Sequence, residues 1–551
     1  MSLAKGKPCK LAVLEKDSVT SILRLSVSFA GHVMSSTLIR GKQVICRVLS
    51  RTEAEIIEDG AIFQQGGKIV EIGSYQALSA KYEPDHILGS ANHIVMPGFV
   101  NSHHHVGLTP FQLGSLDYPL ELWFASRLSA RDVDFYLDTM YSAFEMIESG
   151  ITTVQHIHGW LPGPAPRWSE ISSNVLQAYA DIGMRVSYCF GVRTQNHFVY
   201  ESNDEFVSKL PPSIAADMEA ILKSHEVPLE DYLWFFEALW KAWENKADNR
   251  IRLQLAPANL HWCDDHALTT QTERAHKYGV GMHMHLLETP YQMEYAHRRT
   301  GTSAVKHLHK LGVLGPHLTL GHGVWLTEED IDLIAETGTM ICHNASSNLR
   351  LQSGIAPLNA YAQKGVTVGM GLDEAGINDD RNMLQEMRLV LKLHRVPGMD
   401  SVVPTSPQVF QMATENGAKT TRFADEVGVL APGKAADLVV MDWAHLAYPY
   451  LDDTISVLDA VIHRSRPRGI SAVMVAGEVI LQDGKFTHVD KDELLAELAE
   501  QLRAPLTPQE LRRRELAKEV FPYVKKVYDG WLNPNGYESH YCTSCQNYHA
   551  P

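Results

Sequence analysis

The sequence predicts an α/β fold: a (β/α)8 TIM barrel with a small β-sandwich built from both chain ends. Three observations carry this. Short apolar strands alternate with helical segments through the middle of the chain, the pattern of a parallel sheet wrapped by helices. Strand-rich, glycine-punctuated stretches stand at either end. Imidazoles and carboxylates recur at the C-terminal ends of apolar runs, where a barrel of this kind places its active site.

Residues 1–33 read as an N-terminal extension, without a basic leader and small-residue cleavage site. From Leu38 to Val95 short alternating strands are separated by glycine turns, and Ala61–Gly73 has the pattern of a hairpin. A second such stretch, Gly428–Asp442 and Ala472–Ile480, returns late, so 34–94 and 425–490 are expected to form one composite sandwich. The barrel should occupy 95–424, with strands near 94–100, 151–157, 184–190, 251–256, 280–285, 317–320, 339–342 and 367–371. Residues 193–249 exceed a simple crossover and suggest a helical lid over the mouth. The stiff loop Trp160–Trp168 could wall the pocket, and 491–551 form a C-terminal helical tail with a charged amphipathic helix over Leu506–Tyr528.

His103-His104-His105 end the first barrel strand. Residues two apart share a strand face, so His103 and His105 point together and His104 points away. Further on, His285 and Glu288 close a second apolar run, His322 a third and Asp373 a fourth. The chain has 27 histidines, and one at a strand end is ordinarily hydrogen-bonded core or surface. A lone aspartate after a strand is ordinarily a helix cap. The ordered set is what points to a catalytic metal, which needs three or four protein ligands and an open position.

Pro97–His105, His285-Leu286-Leu287-Glu288-Thr289, Gly321–Leu326, Gly371–Asp373 through Asn378-Asp379, and His343–Leu358 resemble the amidohydrolase superfamily, in its cytosine deaminase-like and s-triazine hydrolase-like branch. The resemblance spans roughly 34–485. It implies a metal-dependent hydrolase barrel in which His103, His105, His285 and Asp373 hold one divalent metal per subunit, zinc or alternatively iron. Such a metal lowers the pKa of its water from 15.7 toward about 7. Asp373 would accept the water's proton, Glu288 would carry a proton to the ring nitrogen or leaving group, and His322 would orient the water or polarise the substrate. Two-metal relatives need a bridging lysine or acid near the fourth strand, and Ile251–Pro257 has no lysine.

The expected reaction is hydrolysis of a non-peptide carbon–nitrogen bond, foremost deamination of an amino-substituted heterocycle. The alternative is an amide, carbamate or urea hydrolase releasing an organic amine; a non-catalytic scaffold is more distant, because every ligand is kept. Departures from the family pattern supply candidate substrate contacts. Glu374 stands where glycine is usual and Asn378 follows it; Trp160, His261 and His322 join them by position. His156 and His158 are expected to line the pocket or support a ligand. Phe198, Tyr200, Trp234, Phe235, Phe236 and Trp240 favour a bulky apolar substrate, unless that stripe is helix core.

Composition excludes other classes. A net charge of −16 opposes nucleic acid or anionic membrane as partner, leaving a small molecule. No apolar run approaches the roughly 20 residues that span a bilayer. Seven scattered cysteines, among them Cys46, Cys189 and Cys342, read as reduced thiols, so a cytoplasmic location is expected. A homodimer or higher homo-oligomer is the family's common state. His540, Cys542, Cys545 and His549 could clip a structural zinc, although one compact cluster lacks the second ligand pair of a zinc knuckle.

Overall fold

The computed structural model describes residues 35–159, 161, 165–399 and 402–532. The expected extension over 1–33, Trp160 and the His540/Cys542/Cys545/His549 cluster lie outside the described residues.

One sheet joins the two ends of the chain. Its strands are β1 (Ser36–Val48), β2 (Ala54–Gln65), β3 (Lys68–Ser74) and β4 (His86–Pro97) from the first part. The barrel follows with β5 (Phe99–His104), β6 (Ile151–His158), β7 (Arg185–Val192), β8 (Ile251–Leu253), β9 (Ala256–Pro257), β10 (Met282–Leu286), β11 (Leu318–His322), β12 (Met340–His343) and β13 (Val368–Met370). Then β14 (Leu438–Asp442), β15 (Ile470–Val475), β16 (Glu478–Gln482) and β17 (Lys485–Phe486) complete the first sheet. Its order is β17-β16-β15-β14-β4-β1-β2-β3. The sheet curls so that β3 meets the segment before β14: Ile69 N–H donates to Lys434 O at 2.9 Å and Gly433 N–H to Ile69 O at 2.8 Å. Ile39, Val44, Ile62, Ile69, Val95, Leu438 and Met474 fill the fold so formed. The Gly66-Gly67 hairpin has φ of 59° and 79°, the left-handed turn that suits paired strands.

The barrel strands run parallel in two arcs, β5-β6-β7-β8 and β10-β11-β12-β13. The arcs are stitched at both seams. His283 N–H donates to Leu255 O at 2.9 Å on one side, and Asp373 N–H to His103 O at 2.8 Å on the other. The second seam places the residues after β13 directly against the histidines of β5.

Two strand expectations are corrected. The first was read as 94–100, but Ile94–Pro97 belongs to β4, paired antiparallel with β14, and the barrel strand starts at Phe99. Gly98 separates them at a point where a Cβ would sit 2.2 Å from Thr152 Oγ1. The fourth strand, read as 251–256, is two short pieces, β8 and β9, because the ladder to β7 breaks at Gln254-Leu255.

The region 193–249 contains helices Asn203–Ser208, Pro212–His225 and Leu229–Trp243. Most of the aromatic stripe on the last is core, which removes the argument for a bulky apolar substrate. Tyr232 stacks on Trp168 (ring centroids 5.3 Å), Phe235 packs on Phe190 (5.2 Å), and Phe236 and Trp240 on Tyr278 (5.8 and 5.1 Å). Helices 203–208 and 212–225 share a separate apolar core with the C-terminal helix Pro508–Val527 and with Leu120–Ser126. The free cysteines Cys46, Cys189, Cys263 and Cys342 are all buried. No helix among the described residues is long and apolar enough to cross a membrane.

A buried ion pair ties barrel to outer sheet. Arg185, at the start of β7, donates from Nε and Nη2 to the two carboxylate oxygens of Asp437 at 2.7 and 3.0 Å. Asp437 also accepts from Ala476 N–H at 2.8 Å. Removing one partner strands the other charge out of water. Asp437→Ala is therefore expected to lower unfolding free energy by about 3–5 kcal/mol in denaturant titration; a loss below about 1 kcal/mol contradicts this role for the pair.

Candidate metal centre

The backbone converges several polar side chains on the C-terminal mouth of the barrel. His103 and His105 come from β5 and the residue after it, His285 from β10, His322 from the end of β11, and Asp373 from three residues past β13. His103 and Gly371 approach so closely that a Cβ on Gly371 would lie 2.6 Å from the His103 Cβ. Three non-glycine residues around the mouth have left-handed backbone: Leu287 (φ 50°), His322 (φ 72°) and Asp373 (φ 54°). Each such conformation costs on the order of 1–3 kcal/mol and persists where the surroundings over-determine it.

The ring atoms meet face to face. His105 Nε2 lies 3.1 Å from His103 Nε2 and 3.1 Å from His285 Nε2. Asp373 Oδ1 lies 3.1 Å from His105 Nε2 and 3.5 Å from His103 Nε2. The far side of each ring is already engaged. His105 Nδ1–H donates to Ile157 O at 2.6 Å, and His285 Nδ1–H to Ala258 O at 2.8 Å. In the neutral rings these bonds leave both Nε2 atoms as bare lone pairs, facing each other at a separation that repels unless a cation or proton lies between them. Burial holds His103 and His285 well below the usual histidine pKa, whereas at His105 burial is outweighed by the Asp373 carboxylate, which raises it. The donor set thus fits a divalent metal: imidazole nitrogens and one carboxylate, with ring orientation fixed from behind. His103, His105 and His285 have donor atoms close enough to share one ion, as do His103, His322 and Asp373.

Behind these residues stand partners that strand-end reasoning did not single out. His103 Nδ1 lies 2.7 Å from His283 Nε2, two residues before His285 on the same strand face. The period-two pair His283/His285 carried that signal. Ser347 Oγ–H donates to Asp373 Oδ2 at 2.5 Å, and His322 Nδ1–H to Asn348 Oδ1 at 2.9 Å, leaving His322 Nε2 bare toward the site. That nitrogen is 3.6 Å from Glu288 Oε2 and 3.8 Å from Asp373 Oδ2. Glu288 is fully enclosed. Burial, then the Asp373 and Glu121 carboxylates, push its pKa well above the usual range, while Ser353 Oγ–H donates weakly to it at 3.3 Å.

The other expected residues divide. His104 points away as its parity requires, its Nε2 3.2 Å from Ser142 Oγ. His156 bonds Tyr179 rather than the cluster (2.9 Å), so β6 supports a ligand through the Ile157 carbonyl between its two histidines. Glu374, beside Asp373, pairs with Arg127 at 2.5 Å. Asn378 is exposed and donates to Gln385 at 2.7 Å, with no contact to the cluster. His261 is buried against Tyr200 (centroids 4.0 Å), and both of its ring nitrogens lack partners. Glu121, which the sequence reading did not propose, accepts from Thr289 Oγ1 at 2.5 Å and Tyr200 O–H at 2.9 Å next to Glu288.

A parallel (β/α)8 barrel with a histidine–carboxylate cluster of this kind at its mouth defines a metal-dependent hydrolase. The sequence pattern of the Amidohydrolase family matches residues 94–480. The chain belongs to that family, and is an enzyme acting with a divalent metal on carbon–nitrogen bonds other than peptide bonds. It is similar to the 5′-deoxyadenosine deaminase of Methanosarcina barkeri, 28% identical over 446 residues, covering 80% of this chain and 92% of the relative. It is equally similar to the 5-methylthioadenosine/S-adenosylhomocysteine deaminase of Thermodesulfovibrio yellowstonii, 28% identical over 449 residues, covering 80% and 93%. Among solved structures it shares its fold with an adenosine deaminase from Xanthomonas campestris with bound zinc, at TM-score 0.71, 22% identity and coverage of 87% and 99%. A mutant of atrazine chlorohydrolase from Arthrobacter aurescens, complexed with zinc and atraton, gives TM-score 0.73, 22% identity and coverage of 84% and 99%.

The two histidines of β5 and its end make a controlled comparison. Alanine at His105 is expected to reduce bound metal, measured by elemental analysis after dialysis, by ten-fold or more, while alanine at His104 leaves it within two-fold. Equal loss from both variants would contradict the opposed orientation of these side chains as the cause.

Proposed function

We propose that the protein is an aminohydrolase that deaminates an adenine-type nucleoside or a related amino-heterocycle. The observation that carries this reading is the pairing of two carboxyl groups with opposite environments at one mouth. Burial would raise the Asp373 carboxyl, but its contacts with His103 and His105 and the nearby His322 ring outweigh burial and hold its pKa well below the usual range; Ser347 Oγ–H donates to it at 2.5 Å. Glu288 is enclosed beside the Asp373 and Glu121 carboxylates, and burial first, then those charges, push its pKa well above the usual range. Such a split assigns acid and base.

His103, His105, His285 and Asp373 would hold one zinc ion, with iron the alternative, and the ion supplies an acidified water at neutral pH. Asp373, aimed by the Ser347 hydroxyl, takes the proton from that water. Glu288 would give its proton to the ring nitrogen beside the amino-bearing carbon, so that the carbon accepts attack; Asp373 would then give the water's proton to the departing amine while Glu288 takes the proton of the added hydroxyl, which returns both carboxyls to their starting states. His322, its Nδ1–H held by Asn348, keeps Nε2 directed between the two carboxyls and orients the water. Ammonia and an oxo-heterocycle are the products.

The similarity to deaminases of 5′-deoxyadenosine and of 5-methylthioadenosine/S-adenosylhomocysteine supports the substrate class. The acidic chain supports a small-molecule substrate over nucleic acid or membrane, and the buried free cysteines support a cytoplasmic location. A homo-oligomer remains part of the proposal.

Metal-loaded enzyme should release stoichiometric ammonia from 5′-deoxyadenosine, 5′-methylthioadenosine or adenosine, with the oxo product identified by mass spectrometry. An organic amine released without ammonia from aryl ureas or carbamates would replace this reading by the amide- or urea-hydrolase alternative. Glu288→Gln should retain metal yet lose on the order of 10²–10⁴ in kcat; a loss under ten-fold would remove Glu288 as the proton carrier.

A further inference from the structure

One buried carboxyl beside the active site takes no part in the proton transfers of Asp373 and Glu288. Glu121 lies on the helix Leu120–Ser126 and is 3% exposed, yet among the described residues no cation pairs with it. A buried charge without a counter-ion is costly and persists only where hydrogen bonds hold it. Glu121 has two of these on one oxygen. Thr289 Oγ1–H donates to Oε1 at 2.5 Å, and Tyr200 O–H donates to the same atom at 2.9 Å. Thr289 Oγ1 already accepts from Gln292 N–H at 3.3 Å, which leaves its proton free for the carboxylate. The other oxygen, Oε2, is enclosed and has no partner.

Three separate segments build this environment. Thr289 caps the helix Pro290–Thr300 after β10, Tyr200 comes from the segment after β7, and Tyr528 at the end of helix Pro508–Val527 accepts from Tyr200 N–H at 3.2 Å. Ala125, Val199, Val520 and Val524 close an apolar layer around them. With water kept out, a charge there acts on its neighbours with little screening. Glu288 is such a neighbour: it directly precedes Thr289, and its backbone N–H donates to Gln292 Oε1 at 2.9 Å.

The two carboxyls are offered different partners. Glu288 receives only the long Ser353 contact at 3.3 Å and faces His322 Nε2 at 3.6 Å, with the Asp373 and Glu374 carboxylates also acting on it. Glu121 receives two hydroxyls and faces the phenols of Tyr291 and Tyr528, which burial and Glu121 itself keep neutral. Hydrogen bonds to an ionised carboxyl favour it, and two carboxyls close together in a buried space do not both ionise readily. The negative charge therefore settles on Glu121 and the proton on Glu288. A proton on Glu121 would sit on Oε2, which meets no acceptor, or displace the hydroxyls from Oε1.

We propose that Glu121 is a positioning residue for proton transfer: its carboxylate, anchored by Thr289 and Tyr200, keeps the transferable proton on Glu288 between turnovers. The destination of that proton rests on the aminohydrolase reading, whereas the division of charge between the two carboxyls does not. When Glu288 protonates the ring nitrogen, its O–H bond breaks as the N–H bond forms, and two carboxylates then stand together. Their repulsion is relieved when Glu288 takes the proton of the added hydroxyl. Glu121 keeps its charge throughout and exchanges no proton with substrate.

The test compares metal-loaded wild type, Glu121→Gln, Glu121→Asp, Tyr200→Phe and Glu288→Gln, first without substrate. Infrared difference spectra through a pH titration should show a buried protonated carboxyl in wild type that is missing in Glu288→Gln. In Glu121→Gln that group should lose its proton about one pH unit or more lower, in Tyr200→Phe lower by less, and in Glu121→Asp nearer wild type. Glu386, buried elsewhere and pushed up to about 7, gives a band that no variant should move. With an amino-heterocycle that wild type turns over, the alkaline limb of kcat/KM should move down with the band, so that Glu121→Gln loses about ten-fold at alkaline pH and little at acid pH. A merely structural Glu121 would depress the rate equally at every pH and leave the Glu288 band in place. Either result overturns the proposal, as does a wild type without that band. If the band moves as stated and no amino-heterocycle is hydrolysed, the division of charge stands and the aminohydrolase reading falls.

Discussion

The structure around the mouth depends on one electrostatic constraint: bare imidazole nitrogens and a carboxylate are held together in a buried space where, left to themselves, the lone pairs repel. The arrangement is imposed from behind. Carbonyls at Ile157 and Ala258 take the Nδ1 protons of His105 and His285, and His283 sits against His103. Ile157 on β6 and Ala258 just past β9 stand beside the strands that lead to His105 and His285, and His283 shares β10 with His285, so barrel closure and ring orientation are the same event. The seam between His103 and Asp373 is the sharpest case, since a backbone hydrogen bond that closes the barrel also delivers the carboxylate to the histidines. Left-handed backbone at His322 and Asp373 is the conformational cost of that delivery.

Much of this was legible in the chain. Strand parity separates His103 and His105 from His104, and the residue order along the barrel places four strand ends on one mouth. The barrel and the composite outer sheet follow from alternation of apolar strands with helices and from glycine turns at both ends. The strand boundary at Gly98 was not legible, because Ile94 to Val100 is one apolar run and the close approach of the Thr152 side chain to Gly98 is seen only in three dimensions. Nor were Asn348, Ser347 and Glu121 separable from ordinary polar residues. Their meaning comes from contacts across many residues of sequence, which no local period encodes.

The aromatic residues between 193 and 249 show the same limit from the other side. Tryptophan and phenylalanine at helical spacing suit either a pocket or a core, and their composition is identical in both. The helix Leu229–Trp243 turns its stripe onto the barrel wall, whereas Tyr200 reaches the catalytic end and is met by Tyr528 from the C-terminal helix, whose hydroxyl accepts from Tyr200 N–H at 3.2 Å. Elements flanking the barrel in sequence thereby shape the approach to Glu288, through the chain Tyr528, Tyr200, Glu121 and Thr289. The chemistry sits on rigid strand ends, and the means of selecting a substrate sits on the segments packed above them.

The central claim is that His103, His105, His285 and Asp373 enclose a single metal ion. Anomalous diffraction from crystals of the protein purified with its native metal, collected on both sides of the zinc and iron absorption edges, tests it most directly. The account predicts one strong peak bounded by the three imidazole Nε2 atoms and the Asp373 carboxylate, with the edge naming the element. No peak there in catalytically active crystals, or two peaks sharing the site, would contradict it.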